Sequence, residues 1–147
     1  MGGSACGRAM NGEILVHVID DDEALRGALG RLLTVSGFGA RTYASAGDFL
    51  DRLGSLDRGC VITDVRMPGM SGLELLRRLS ARAGAFPVIV LSGRASVAVA
   101  VDALKEGAFD FIEKPFETET LLAAVRTAMA PLAYDAAWRW PLTGRST

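Results

Sequence analysis

Apolar residues along this 147-residue chain switch repeatedly between two spacings. Short compact runs occur at Ile14 to Ile19, Phe38 to Tyr43, Cys60 to Thr63, Pro87 to Leu91 and Phe109 to Glu113. Runs of this length, bounded by turn residues, predict buried strands. Between them the apolar residues follow helical spacing. Leu25, Leu29, Leu32 and Leu33 fall on one helical face, preceded by acidic residues and followed by Gly37. Gly27 and Gly30 inside that helix each cost about 1 kcal/mol relative to Ala, so tertiary packing must hold it. Ser45 with Asp48 resembles a capping box for a helix carrying Phe49, Leu50 and Leu53 and stopping near Gly54. Ser71 with Glu74 makes a cleaner one, for a helix with Leu75, Leu76 and Leu79 that ends at Ala83-Gly84. A fourth helix, about Ala95 to Glu106, is expected to bury Val97, Val101 and Leu104 and to turn Val99 outward. A fifth, about Thr118 to Ala130, is expected to bury Leu121, Leu122, Val125 and Met129. Strands alternating with helices five times predict an α/β fold, a doubly wound five-stranded parallel sheet with five helices.

The flanks carry no clear period. Residues 1–11 are rich in Gly, Ala and Ser but lack a signal peptide's apolar core, and read as a flexible lead-in. Residues 12–130 form the domain, and 131–147, with Trp138 and Trp140, read as a tail without clear structure. Half the residues are hydrophobic and the net charge is −1, which describes a soluble globular core. The chain has no basic cluster, so direct nucleic-acid binding has no electrostatic footprint. No apolar run approaches bilayer length, and a cytoplasmic, membrane-free protein is expected. Cys6 and Cys60 have neither metal nor redox spacing and read as reduced thiols.

The candidate chemistry lies where the strands end. Asp20 and Asp21 follow the first strand, Asp64 the third, Ser92 the fourth and Lys114 the fifth. In an open parallel sheet, ligands bind beyond the carboxyl ends of the strands. An isolated Asp64 would read as a turn cap; the partners change that reading. Each close carboxylate pair, at about 4 Å and an effective dielectric of about 20, costs on the order of 4 kcal/mol. Hard oxygen ligands around a small site call for a divalent cation, Mg²⁺ above all. A metal-bound carboxylate beside an ammonium and a hydroxyl is built to accept a phosphoryl group. His17, the one histidine, sits inside the first strand and reads as a packed side chain, since no charged neighbour in sequence suits a phosphoryl carrier.

Four segments taken together resemble the receiver domain of two-component response regulators, most closely the FixJ-type branch. They are Val18-Ile19-Asp20-Asp21-Asp22-Glu23, Thr63-Asp64-Val65-Arg66-Met67-Pro68-Gly69-Met70-Ser71-Gly72, Val90-Leu91-Ser92-Gly93 and Asp110-Phe111-Ile112-Glu113-Lys114-Pro115-Phe116. The resemblance implies a flavodoxin-like strand order of 2-1-3-4-5, with Asp64 as phosphoacceptor for a sensor histidine kinase. It implies direct Mg²⁺ ligation by Asp21, Asp64 and the backbone carbonyl of Arg66, with Asp20 acting through water. Ser92 would be the switch hydroxyl, Phe111 the rotating aromatic, and Lys114 the phosphate-binding base of a Lys-Pro bond that is usually cis. Such a domain catalyses only its own phosphorylation and slow self-dephosphorylation. Its output would run through the face made by helix four, strand five and helix five, with homodimerisation on phosphorylation.

Two substitutions stay within the family's range: Ser92 stands where Thr is commoner, and Gly93 where Ala is. FixJ-type regulators continue into a helix-turn-helix domain, whereas 17 residues follow Ala130 here. The expectation is therefore a stand-alone receiver, or the receiver part of a transcriptional regulator. A rival reading takes Ile19-Asp20-Asp21-Asp22 as the Asp-x-Asp signature of a haloacid-dehalogenase-type phosphatase using Asp20. It leaves the loop after Asp64 unexplained, and Ala24 stands where that family favours Thr or Val.

Overall fold

In the computed structural model, which describes residues 14–82, 84–93 and 97–137, strands and helices alternate strictly. The strands are β1 (Leu15–Ile19), β2 (Gly39–Tyr43), β3 (Gly59–Asp64), β4 (Val88–Ser92) and β5 (Asp110–Glu113). The helices are α1 (Glu23–Val35), α2 (Ala46–Leu53), α3 (Gly72–Leu79), α4 (Val97–Lys105) and α5 (Thr118–Ala137). All pairings are parallel and the order is β2-β1-β3-β4-β5, as the resemblance implied. Ile19 pairs with Tyr43 and Thr63, Asp64 with Leu91, and Ser92 with Glu113. This register brings the carboxyl ends of β1, β3, β4 and β5 to one rim of the sheet.

The central strands are mostly apolar because both of their faces are covered, with His17 and Thr63 as buried polar residues among them. Val16, Val18, Ile62, Ile89 and Leu91 pack with Leu29 and Leu33 of α1 and with Leu121 and Val125 of α5. Ile19, Val61, Val88 and Val90 pack on the opposite face with Phe49 of α2, Leu75 and Leu79 of α3 and Ala103 of α4. Capping anchors three helices at the rim or beside it. The Asp22 side chain accepts from the N–H groups of Ala24 and Leu25, Ser45 from that of Asp48, and Ser71 from that of Glu74.

His17 is fully buried, as the strand pattern implied. Its Nδ1 and the Tyr43 hydroxyl share a hydrogen bond of 3.0 Å, and its ring stacks obliquely on Phe49 with centroids 5.2 Å apart. Gly59 on β3 makes room for it. A Cβ there would lie 2.9 Å from both the His17 ring and the Leu15 carbonyl.

Three helices differ from expectation. α3 stops at Leu79 and passes into a 3₁₀ turn, Ser80–Arg82, before Gly84 reverses the chain at a φ of +86°. α5 does not stop at Ala130; it runs through Pro131 to Ala137, so the expected tail is helical for its first seven residues. Pro131 forfeits one helical hydrogen bond, and burial of Leu132 offsets part of that loss. α4 is turned the other way round. Val97, Val101 and Leu104 are 81%, 41% and 53% exposed, whereas Ala103 is fully buried and Val99 packs inward. Its sequence, VAVAVDALK, is apolar on nearly every side, so the period alone does not choose a face. Packing selects the side with the small Ala103, which lets the helix approach the sheet closely. Ala95, the lead-in 1–11, Cys6, Trp138 and Trp140 lie outside the described residues. Among the described residues, no helix is long and apolar enough to cross a membrane.

The His17 environment carries a prediction. Burial, followed by the charges of Arg41 and Arg52, lowers the His17 pKa from 6.5 to about 4. Between those values the unfolded chain binds the extra proton and the folded chain does not. The contribution of His17 to stability is therefore complete above pH 6.5 and falls by about 3 kcal/mol as pH drops toward 4. Urea denaturation across this range should show that slope, and His17→Leu should flatten it.

Candidate functional site

The rim gathers the predicted residues in three layers of support. β1 runs apolar to Ile19 and then releases Asp20, whose N–H still bonds to the Tyr43 carbonyl at 3.1 Å. Asp20 is 1% exposed, and its Oδ1 accepts the Asp22 N–H at 2.9 Å, which bends the acidic run into the start of α1. Asp21 points to the exposed side of the same loop. Asp64 is the last residue of β3 and is half-buried. Carboxylate oxygens of Asp20, Asp21 and Asp64 all lie within 4.8 Å of one another.

Lys114 arrives from the end of β5. Its N–H bonds to the Ser92 carbonyl at 2.7 Å, which ties β5 to the end of β4 at the rim. Its Nζ donates to Asp64 Oδ2 at 3.2 Å and stands 3.9 Å from Asp20 Oδ2. The Lys114–Pro115 peptide is cis. Ser92 is buried at the end of β4, in register with Glu113, and Phe111 on β5 is half-buried against the α2/α3/α4 layer. Arg66 is exposed, two residues past Asp64 in the loop between β3 and α3.

Charge in this crevice is unbalanced. Burial raises the Asp20 pKa above its usual value. The Asp22 N–H and the Lys114 ammonium pull it back, and the carboxylates of Asp64 and Asp21 push it up again. Asp20 Oδ2 is buried and has no hydrogen-bond partner. An orphaned carboxylate oxygen facing two further carboxylates is the donor set a hard divalent cation takes. The residues present therefore fit a metal ion.

Two supporting residues had no role in the sequence reading: Gly72, which ends the second motif, and Arg26, which lies outside all four. Gly72 opens α3 so close to the strand end that a Cβ would lie 2.2 Å from the Asp64 carbonyl oxygen; only glycine permits that approach. Arg26, in the first turn of α1, reaches back and donates from Nη1 to the Asp20 carbonyl at 2.7 Å. A cation at the positive end of a helix was the signal available for it in the sequence. By contrast, the buried thiol of Cys60, its pKa pushed up to about 12 by burial, takes no part.

A parallel β2-β1-β3-β4-β5 sheet with an acidic trio and a lysine at its carboxyl rim defines a phosphoacceptor module, and comparison with known proteins agrees. The response regulator receiver domain model matches residues 16–126. FixJ, a transcriptional regulatory protein of Azorhizobium caulinodans, is 54% identical over 114 residues, which cover 78% of this chain and 54% of that protein. The Bradyrhizobium diazoefficiens FixJ is 47% identical, covering 78% and 56%. The crystal structure of FixJ-N superposes with a TM-score of 0.75 at 42% identity, covering 80% of this chain and 94% of that one. The beryllofluoride-activated NtrC4 receiver domain dimer superposes at 0.74 and 30% identity, covering 79% and 96%.

The chain belongs to the response-regulator receiver family, in its FixJ-type branch, the phosphoacceptor part of two-component signalling. It spans about half the length of the curated relatives it matches. Those relatives are response regulators rather than classical enzymes, and the phosphatase reading through Asp20 finds no support.

The unbalanced charge has a measurable consequence. Asn at position 20 keeps an oxygen for the Asp22 N–H and removes one buried negative charge. Asp20→Asn should therefore raise the melting temperature of the chelated protein at neutral pH by about 4 °C or more, roughly 1 kcal/mol for a domain of this size. A calorimetric or fluorescence melt in EDTA measures it.

Proposed function

We propose that this chain takes a phosphoryl group from a sensor histidine kinase onto Asp64 and uses it to switch a surface around α4 and β5. The observation that carries the reading is the approach of Lys114 Nζ to Asp64 Oδ2, 3.2 Å, in a crevice shared with Asp20 and Asp21. Asp21, Asp64 and the Arg66 carbonyl would hold Mg²⁺, with Asp20 acting through water. When bound, the ion supplies charge neutralisation at the phosphoryl oxygens. An Asp64 carboxylate oxygen attacks phosphorus, the bond from phosphorus to the donor's imidazole nitrogen breaks, and that nitrogen keeps the electron pair. Lys114 exchanges its ion pair with Asp64 for a phosphoryl oxygen. The Ser92 hydroxyl turns to another, and Phe111 moves into the space this opens. The chain thus catalyses its own phosphorylation and slow self-dephosphorylation, and no other reaction.

Output in this reading passes through apolar side chains that α4 leaves exposed: Val97, Val101 and Leu104. Three such residues on one helical face form a patch of the kind that marks a protein interface. A second copy of the chain is the proposed partner, and the receiver domain dimer formed by beryllofluoride-activated NtrC4 supports that choice. The regulated process is transcription, as the names of the FixJ and DctR relatives suggest, with DNA contact left to a separate domain. A net charge of −1 accords with that division, and the cell compartment proposed is the cytoplasm.

Incubation with acetyl phosphate and Mg²⁺ should add one phosphoryl group by intact mass. The adduct should vanish in Asp64→Asn and in chelator; persistence in Asp64→Asn would assign the acceptor elsewhere.

Sedimentation tests the surface. Beryllofluoride should convert the protein from monomer to dimer, and Val101→Asp should abolish dimers while leaving phosphoryl uptake intact. Val99→Asp, by contrast, places a charge against the core from a half-buried position and should cost stability, about 1–3 kcal/mol.

A further inference from the structure

Arg26 stands beside the acidic loop without entering the chemistry proposed above. It lies in the first turn of α1, where Asp22 is the N-cap. A cation at that end opposes the helix dipole, so helix stability does not account for it. Side chains in a helix lean back toward its N-terminus, and this one leans over the turn between β1 and α1. There its Nη1 donates to the Asp20 carbonyl at 2.7 Å, a charge-assisted hydrogen bond at the short end of the range.

The need for that bond follows from where β2 stops. In a parallel ladder, a residue whose N–H bonds to a neighbouring strand accepts, through its own carbonyl, from a later N–H of the same strand. The Asp20 N–H bonds to the Tyr43 carbonyl. Tyr43 is the last residue of β2, however, and Ser45 already caps α2. The guanidinium takes the place of the missing strand donor. The bond from the Asp22 N–H to Asp20 Oδ1 pins the peptide between Asp21 and Asp22, and the guanidinium pins the peptide between Asp20 and Asp21. The orientation of that peptide decides where the exposed carboxylate of Asp21 is carried.

We infer that Arg26 is a positioning residue for the divalent-cation site, holding Asp21 in place through the Asp20 carbonyl. This rests on the reading of Asp20, Asp21 and Asp64 as a Mg²⁺ site. A competing role, simple neutralisation of the three carboxylates, makes the opposite prediction. Removing a nearby positive charge strengthens cation binding, whereas releasing the peptide weakens it.

Calorimetric titration of the full chain with MgCl₂ separates the two. Arg26→Met should weaken Mg²⁺ binding by about tenfold, the lower end of losses seen when outer-shell partners of a metal site are removed. Arg26→Lys, which keeps the charge and a donor, should recover much of the affinity. Unchanged or tighter binding by Arg26→Met overturns the positioning role. So does a lower melting temperature in EDTA with an unaltered Mg²⁺ affinity, because that result marks a merely structural contact. If circular dichroism shows that Arg26→Met does not fold, Arg26→Gln gives the same reading, with weaker binding as support and tighter binding as refutation. Wild type that takes up no Mg²⁺ overturns the metal reading itself, and this role with it; uptake by wild type that Arg26→Met matches overturns the role alone.

Discussion

Three carboxylates held within 4.8 Å of one another, with a single ammonium at their edge, are the constraint on which this structure turns. Left to themselves, Asp20, Asp21 and Asp64 would separate, since close like charges repel by kilocalories per mole even in a partly solvated crevice. Lys114 offsets part of that repulsion through Asp64, while Asp20 keeps a buried oxygen without a hydrogen bond. The scaffold must supply the rest. The same imbalance is what suits the rim to the proposed cation, and to phosphoryl oxygens that a cation and a lysine would share.

Parallel pairing supplies the rigidity. Ile19 sits between Tyr43 and Thr63, Asp64 opposite Leu91, and Ser92 opposite Glu113, so four strand ends are fixed by hydrogen-bonded register rather than by loops. Strands buried on both faces cannot slip without moving polar side chains into the core. Glycine appears where this scaffold is tightest. Gly59 makes space for the buried His17, and Gly72 lets α3 begin against the Asp64 carbonyl. Asp64 is thereby held from behind by a helix and from both sides by strands.

The neighbouring α4 is held far less firmly. Only Ala103 is fully buried along it, and Val97, Val101 and Leu104 face outward. An element with few deep contacts moves at low free-energy cost. Ser92 and Phe111 lie on the two strands beneath and beside it, one buried and one half-buried. In the proposed switch, a small change at the rim would reach a helix that already presents apolar side chains, as a two-state surface requires.

How much of this was legible in the sequence depends on whether a residue's role is set by its own neighbours in the chain. Apolar runs that end in Asp20, Asp64, Ser92 and Lys114 announced the strands and their chemical ends, because a strand buried on both faces must be continuously apolar. Ser45 and Ser71 announced helix starts, because a cap is satisfied within one turn. The orientation of α4 was not legible: valine and alanine alternate along it, and only contact with the sheet decides that Ala103 goes in and Val101 goes out. The persistence of α5 through Pro131 was hidden for a similar reason, since burial of Leu132 is a tertiary contact that offsets part of a local penalty. Arg26 bonds to a carbonyl left open by the end of a strand that lies elsewhere in the chain. Local pattern determined which elements form and where their reactive ends lie; long-range packing alone decided which faces meet, because that choice is made by surfaces distant in sequence and adjacent in space.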